Sequence, residues 1–187
     1  MLPTIEMQAD AVVMIDQRKL PAQEVYVHCK TANEVARAIK TMVIRGAPAI
    51  GVAAAMGIAL GMRRCTAPGT KQFAVEFNKL CELMAGTRPT AVNLFWAIAE
   101  MKRAFSIGVR AGESVDELKV RLAATAQQIH DDDLAACQAM GQHGAALVPA
   151  GARILTHCNA GALATAGYGT ALGVIRAAAA QGKVAQV

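Results

Sequence analysis

The uncharged stretch Ala47–Met62, built from alanine, glycine and larger apolar residues, is the feature that most constrains the fold. It is too short and too rich in Gly and Ala to cross a bilayer as a helix, so it predicts a helix buried in a protein core. Across the chain, 54% of residues are apolar but only 4% are aromatic. A core made of Ala, Val, Ile, Leu and Met favours helices that pack with close backbone approach.

Helical signals lie on both sides of this segment. Thr31 with Glu34 matches the capping box, in which a hydroxyl and a carboxylate accept hydrogen bonds from each other's backbone N–H, and Ser114 with Glu117 repeats it. Pro48 suits a first helical turn, where its missing N–H costs nothing. Besides the helix after Thr31, the predicted helices are Pro48 to about Gly61, Phe73–Met84, Pro89 to about Phe105, Ser114 to about His130, and a restart at Asp131–Asp133 that continues to about Leu147.

Strands are predicted at the two ends of the chain. Two short strands precede the helices, at Asp10–Asp16 and Glu24–Cys29, and a charged turn closed by Pro21 separates them. The pattern changes again near Pro149. From there we predict a buried strand, a tight loop, a helix of small residues and a second strand, at Ala152–His157, Cys158–Gly161, Thr165–Gln181 and Lys183–Val187. Strand, glycine-rich turn, helix and strand is the start of a parallel α/β sheet.

We therefore predict an α/β fold, α+β overall. Residues 1–148 form a mainly helical N-terminal domain with a small β-sheet, and residues 149–187 form the first βαβ unit of an incomplete Rossmann-like domain. A lone unit leaves its sheet edges unpaired and one face of its helix uncovered. We expect either further C-terminal residues or a second chain to complete this sheet.

Composition excludes several classes of function. The net charge is +5, but the basic residues are scattered between acidic ones, so no basic stripe for nucleic acid is present. The five cysteines form an odd set without a C-x-x-C pair, which argues against disulfides and a zinc site and favours reduced thiols in the cytoplasm. Residues 1–6 lack the basic and apolar regions of a signal peptide. We predict no metal and no membrane association.

Three segments place a cationic or reactive side chain just before a predicted helix: Arg45–Pro48, Thr87–Pro89 and Cys158–Gly161. A helix start offers free N–H groups and the positive end of the helix dipole, which suits a phosphate or a developing oxyanion. An arginine there adds bidentate hydrogen bonding. Together the three segments favour a site for a small anionic ligand.

Cys158 is the sharpest candidate for chemistry. It lies at the predicted carboxyl end of a strand, where open α/β sheets bind ligands, and before a helix that would make its thiol more reactive. From spacing alone, a small buried core cysteine is the alternative, and it is our interpretation of the remaining four, which are Cys29, Cys65, Cys81 and Cys137. His157 is adjacent to Cys158 on the predicted strand, so the two side chains should point to opposite faces.

Two further patterns are weaker. The run Asp131–Asp133 could suggest a metal, but a solvated helix start is the better interpretation. Gly167-Tyr-Gly169 with Gly173 imitates a dinucleotide loop. It follows its strand too distantly and lacks the acidic residue expected on the next strand, so we predict no nucleotide cofactor.

Four motifs in order make the chain resemble the methylthioribose-1-phosphate isomerase family, which shares a superfamily with regulatory subunits of translation initiation factor 2B. The motifs are Asp16–Pro21 (DQRKLP), Val43–Gly51 (VIRGAPAIG), Thr87–Asn93 (TRPTAVN) and Leu155–Gly161 (LTHCNAG). Gly169–Gly173 extends the last of them. The resemblance covers nearly the whole chain.

The resemblance implies an aldose–ketose isomerase of methionine salvage, acting on a small phosphorylated sugar, usually as a homodimer, without metal or cofactor. It implies that Arg45, Gly46, Ala47 and Arg88 bind substrate and that Cys158 is catalytic. The family's catalytic aspartate and several further ligands would follow Val187, so we expect this chain alone to be inactive. The alternatives are ribose-1,5-bisphosphate isomerase, of the same superfamily, and a non-catalytic subunit of the translation-initiation guanine-nucleotide exchange factor.

Overall fold

The computed structural model describes residues 4–187, so the part of the signal-peptide prediction that concerns residues 1–3 lies outside the described residues. A three-stranded sheet comes first, then five helices, and last a short parallel pair of strands with a helix between them. In chain order the elements are β1 (Ile5–Met7), β2 (Val12–Ile15), β3 (Tyr26–Cys29), α1 (Ala32–Lys40), α2 (Ala47–Arg63), α3 (Thr70–Ala85), α4 (Val92–Arg110), α5 (Val115–Leu147), β4 (Ala152–Arg153), a 3-10 turn (Ala162–Ala164), α6 (Ala171–Ala180) and β5 (Val184–Gln186).

Helix α2 is the centre of the molecule, as its sequence predicts. Every residue from Ala49 to Leu60 is buried, and the helix packs against α1, α3, α4 and α5 as well as β1 and β2. Its small residues permit this crowding. A Cβ added to Gly51 would lie 2.8 Å from the Asn93 carbonyl oxygen of α4, so the two helix backbones touch there.

The N-terminal sheet is antiparallel in the order β1–β2–β3. All four residues of β2 are buried because one face lies on the helices and both edges are paired. Both predicted strands are present with shorter bounds, but β1 was not predicted. Three residues are too few to show a period, and β1 is held by its partner: Ile5 pairs with Met14.

The capping boxes predicted at Thr31 and Ser114 are both confirmed, with reciprocal hydrogen bonds to Glu34 and Glu117. The predicted restart near Asp131 is wrong, because α5 runs unbroken over 33 residues. Aspartates at this point do not end the helix, since Gln127 and Gln128 donate hydrogen bonds to the aspartates four residues on.

Residues after α5 are less regular than predicted. The expected buried strand Ala152–His157 is reduced to Ala152–Arg153, and Leu155 is 97% exposed. The helix predicted from Thr165 begins only at Ala171. Pro89 likewise does not open α4, which starts three residues later at Val92.

The β4–α6–β5 unit itself is as predicted, since β4 and β5 pair in parallel and α6 packs on α5. A mainly helical protein with a small sheet and the beginning of a parallel α/β sheet confirms the predicted fold class. The division between residues 148 and 149 stays a prediction. Within residues 4–187, no helix combines the length and apolarity needed to cross a membrane.

Candidate active site

The loop before α2 holds Arg45 at the surface. Val43 and Ile44 are buried and anchor the loop, and the Gln17 N–H donates a hydrogen bond to the Val43 carbonyl at 3.0 Å. Arg45 next to them is exposed. Gly46 is the residue before the first turn of α2, with φ +99°, a conformation that favours glycine.

The helices at the candidate site lack side-chain caps. Among residues 4–187, no cap side chain accepts a hydrogen bond from the first turn of α2, α4 or α6, whereas α1 and α5 both begin with capping boxes. Helix α3 is also uncapped, at Gly69. In α2 and α4, free N–H groups next to Arg45 and Arg88 are therefore available to an anion.

Gly46 joins this loop to the segment after Cys158. A Cβ on residue 46 would lie 2.7 Å from both the Cβ and the carbonyl oxygen of Ala164. Only a glycine permits this approach. The Arg45 loop and the Cys158 segment, more than a hundred residues apart in sequence, are thus in direct backbone contact.

Two side chains just outside strands β1 and β2 hold the 3-10 turn in place. The Thr4 hydroxyl donates a hydrogen bond to the Ala162 carbonyl and the Gln17 amide nitrogen donates one to the Leu163 carbonyl, both at 2.7 Å. Gln17 is only 4% exposed, and among residues 4–187 its Oε1 atom has no hydrogen-bond partner. Gln17 therefore contacts both loops of the candidate site.

Arg88 lies between α3 and α4 and is half-buried. The Thr87 hydroxyl donates a hydrogen bond of 2.6 Å to the Met84 carbonyl, and the Arg88 carbonyl accepts one from the Ala91 N–H. These bonds fix the turn that leads into α4. Because Asn93 of α4 touches Gly51 of α2, the Arg88 turn lies on the same side of the molecule as the Arg45 loop.

Cys158 is exposed and has φ +70°. It does not directly precede a helix, so that part of the prediction is wrong. The link to α6 is made by Ala160, whose carbonyl accepts hydrogen bonds from the N–H groups of Thr170 and Leu172 at the helix start. The predicted opposition of His157 and Cys158 also fails, because the strand ends at Arg153.

The other cysteines differ from Cys158 in their surroundings. Burial raises the pKa of both the Cys29 and the Cys81 thiols to about 11. Burial also raises the pKa of Cys137, and Cys65 is half-buried. All five are free thiols, and Cys158 is the exposed one. The prediction that the remaining cysteines are buried in the core is therefore confirmed for Cys29, Cys81 and Cys137.

Sequence reasoning missed Asp133 as well as Gln17. The Asp133 carboxylate accepts a hydrogen bond of 2.6 Å from the Ala166 N–H and so ties α5 to the segment after Cys158. Burial raises the pKa of Asp133. Gln17 lies within a quoted motif, which was the available signal, but Asp133 lies in an acidic run that resembles a solvated helix start.

Two features stand out in this α/β protein: helix starts without side-chain caps that follow Arg45 and Arg88, and an exposed thiol at Cys158 between β4 and α6. Free N–H groups at helix starts are typical of proteins that bind small anions. Within residues 4–187, no three His, Cys, Asp or Glu side chains are grouped to hold a metal ion. The model of the Initiation factor 2 subunit family matches residues 43–187, and the chain belongs to that family.

The similar proteins carry two kinds of name. The chain is 56% identical over 98% of its length to a methylthioribose-1-phosphate isomerase of Geobacter metallireducens, and 54% identical over 97% to one of Koribacter versatilis. These matches cover 53% and 51% of the relatives, so the chain spans about half the length of the curated relatives it matches.

Two solved structures also resemble this chain, and each is matched over about half of its own length. The crystal structure of 5-methylthioribose 1-phosphate isomerase from Pyrococcus horikoshii matches 98% of this chain and 51% of its own, at 41% identity and a TM-score of 0.92. The translation initiation factor eIF-2B subunit delta from A. fulgidus matches 100% of this chain and 54% of its own, at 40% identity and a TM-score of 0.88.

Proposed function

We propose that this chain provides the phosphate-binding loops and the reactive thiol of a methylthioribose-1-phosphate isomerase of methionine salvage. The observation that carries the proposal is the backbone contact of Gly46 with Ala164, which brings the Arg45 loop against the segment after Cys158. The names of the relatives point the same way. A cytoplasmic location and a homodimer are part of this proposal.

Each residue has a role in the proposal. Arg45 and Arg88 bind the phosphate of the sugar as charge-assisted partners, and the free N–H groups at Gly46 and Ala47 complete its coordination. Cys158 acts on the carbon skeleton. This division suits the observed exposure, since the thiol and Arg45 are open to solvent and Arg88 is half-buried.

The chemistry explains why a proton-transferring group is needed. The anomeric carbon C1 carries the phosphate, so the ring cannot open simply to a free aldehyde. In the proposed step the bond between C1 and the ring oxygen breaks as an acid protonates that oxygen. The Cys158 thiolate takes the proton from C2, which leaves an enol between C1 and C2. The conjugate base of that acid takes the proton of the C2 hydroxyl as it becomes a carbonyl, and the thiol returns its proton to C1. Substrate and product are isomers, so no oxidant is consumed.

A second candidate is a non-catalytic regulatory subunit. The observation in its favour is the match to the eIF-2B delta subunit of A. fulgidus, which covers the whole of this chain. Such a subunit needs the fold but not the exposed thiol. Ribose-1,5-bisphosphate isomerase is the remaining enzyme alternative. Its substrate carries a phosphate on C5 where 5-methylthioribose 1-phosphate carries a methylthio group.

Calorimetric titration with 5-methylthioribose 1-phosphate tests the binding role. Arg45→Met and Arg88→Met should each weaken binding by about tenfold to a hundredfold, since a hydrogen bond to a charged group contributes about 1.5–3 kcal/mol. Arg110→Met is the matched control, because Arg110 is an exposed arginine at the opposite end of α4. Unchanged binding in both test variants would remove the arginines from the site.

Activity is tested by fusing this chain to the part of the G. metallireducens relative that it does not match. We expect the fusion to convert the aldose phosphate to the ketose phosphate, and Cys158→Ala in the fusion to lower kcat at least about a hundredfold. A fusion that folds and binds the sugar phosphate but never turns it over would favour the regulatory subunit.

A further inference from the structure

A cavity of about 470 Å³ opens beside the starts of α2 and α4, against the middle of α5. Its size is that of a small-molecule site. Pro48 and Val52 of α2 form one side of it, Val92 and Trp96 of α4 form another, and Asp133 of α5 lies opposite. None of the roles proposed above uses this cavity.

The cavity lies close to the proposed phosphate site. Gly46, which precedes α2, and Gly51, which lines the cavity, are five residues apart, or about 7.5 Å of helix rise. A pentose with substituents on C1 and C5 has a comparable length. A sugar whose C1 phosphate lies at the start of α2 can therefore place its C5 substituent in this cavity.

The lining favours an uncharged, apolar substituent. Trp96 is 51% exposed and Val92 is 77% exposed, so apolar surface there is open to a ligand. A thioether sulfur packs favourably on an aromatic ring. Of the described residues that line the cavity, the charged ones are Asp132 and Asp133, both acidic, and none is a lysine or an arginine. A second phosphate in this position would meet carboxylates and no cation.

We propose that this cavity binds the C5 substituent of the sugar, that it takes a methylthio group on Trp96, and that Asp132 and Asp133 discourage a phosphate there. The inference rests on the proposed function and names its specificity element. Trp96 is the specificity-determining residue, and the cavity distinguishes 5-methylthioribose 1-phosphate from ribose 1,5-bisphosphate.

The chain carries its own reporter, because Trp96 is its single tryptophan. Fluorescence titration with 5-methylthioribose 1-phosphate should shift the Trp96 emission to the blue as the ring leaves water. Ribose 1-phosphate, which differs only at C5, should bind about tenfold more weakly, as expected for a lost apolar group, and should leave the emission unchanged. Ribose 1,5-bisphosphate should bind more weakly still.

Two variants test the lining by calorimetry. Trp96→Ala should weaken binding of the methylthio compound about tenfold and leave ribose 1-phosphate unaffected, whereas Trp96→Phe should keep most of the preference. Asp132→Asn should improve binding of the bisphosphate relative to the methylthio compound. Asp116→Asn, an exposed carboxylate in the first turn of α5, is the matched control and should not change this ratio.

The outcomes separate this inference from the proposed function. Tight binding of the methylthio compound with unchanged Trp96 emission, or an equal loss for both monophosphates in Trp96→Ala, would overturn the C5 subsite and leave the phosphate site intact. Failure of every sugar phosphate to bind would overturn the proposed function and the subsite together.

Discussion

Gly46 packs directly on Ala164, with room for a hydrogen and not for a methyl group. This contact joins the loop that leads into α2 to the turn that follows Cys158. Gly46 also has a positive φ of +99°, in a loop that the buried residues Val43 and Ile44 anchor. Packing and backbone conformation both require glycine at this position.

Gly46→Ala should therefore separate the two loops. We expect a loss of at least about 3 kcal/mol in the free energy of unfolding, from backbone strain together with overpacking against Ala164. Binding of 5-methylthioribose 1-phosphate should be lost at the same time. Urea unfolding and calorimetry measure the two effects.

Gly112→Ala is the matched control for that experiment. Gly112 has a similar positive φ of +76°, but no atom of the part of the chain that the structure describes lies within 4 Å of an added Cβ. Its substitution reports the cost of the backbone conformation alone, about 1–2 kcal/mol, and should leave binding intact. Equal effects of the two substitutions would mean that the contact with Ala164 has no role of its own.

Selective alkylation tests the position of Cys158. Because Cys158 is exposed and burial raises the pKa of Cys29 and Cys81 to about 11, iodoacetamide near neutral pH should modify Cys158 first and half-buried Cys65 second. Peptide mass mapping identifies the modified residue. Bound 5-methylthioribose 1-phosphate should slow modification of Cys158 and not of Cys65. Equal protection of both thiols would contradict a site at Cys158.

The sequence predicts well those features that depend on residues close together in the chain. The capping boxes at Thr31 and Ser114 depend on residues three positions apart, and both form. The apolar stretch that becomes α2 is buried as its composition requires. The strand predicted at Ala152–His157 is mostly absent because its formation depends on contacts that are not local. Ile154 and Leu155 match the pattern of a buried strand, but burial depends on distant partners, and Leu155 is almost fully exposed.

The candidate site shows the same limit. Each of its segments is recognisable in the sequence as an isolated arginine or cysteine near a predicted helix start. Their contact depends on Gly46 with Ala164 and on Gln17 with Leu163, pairs separated by more than a hundred residues. No local pattern encodes such a pair, so the sequence predicts the components and the structure supplies their arrangement.

Gln17 should position the two loops at little cost to stability. Gln17→Met keeps the shape of the side chain but removes the bond to Leu163 and also the unpartnered Oε1. A hydrogen bond contributes about 1 kcal/mol and a buried unsatisfied acceptor costs a similar amount, so the free energy of unfolding should change by less than about 1 kcal/mol. Binding of the sugar phosphate should nevertheless weaken several-fold.

The control for this substitution is Gln23→Met, at an exposed glutamine in the loop before β3. It should change neither stability nor binding. If Gln17→Met lowers stability strongly and binding only in proportion, Gln17 is a purely structural residue. Comparing calorimetry with urea unfolding on the same samples decides between these outcomes.

Asp133 gives the fold a dependence on pH. Burial raises the pKa of this carboxyl above the value of about 3.9 that it has in the unfolded chain. Between these two pKa values the folded chain binds more protons than the unfolded chain, so stability falls as pH rises through that window.

The substitution Asp133→Asn tests this dependence on pH. It removes the ionisation, and the Asn oxygen can still accept the hydrogen bond from the Ala166 N–H. The change in Tm caused by the substitution should therefore be more favourable at about pH 7 than at about pH 3.5. Asp132→Asn, which removes an exposed negative charge from the same turn, corrects for the change in net charge. If Asp133→Asn alters Tm equally at both pH values once this correction is made, the buried carboxylate is not a source of pH-dependent instability.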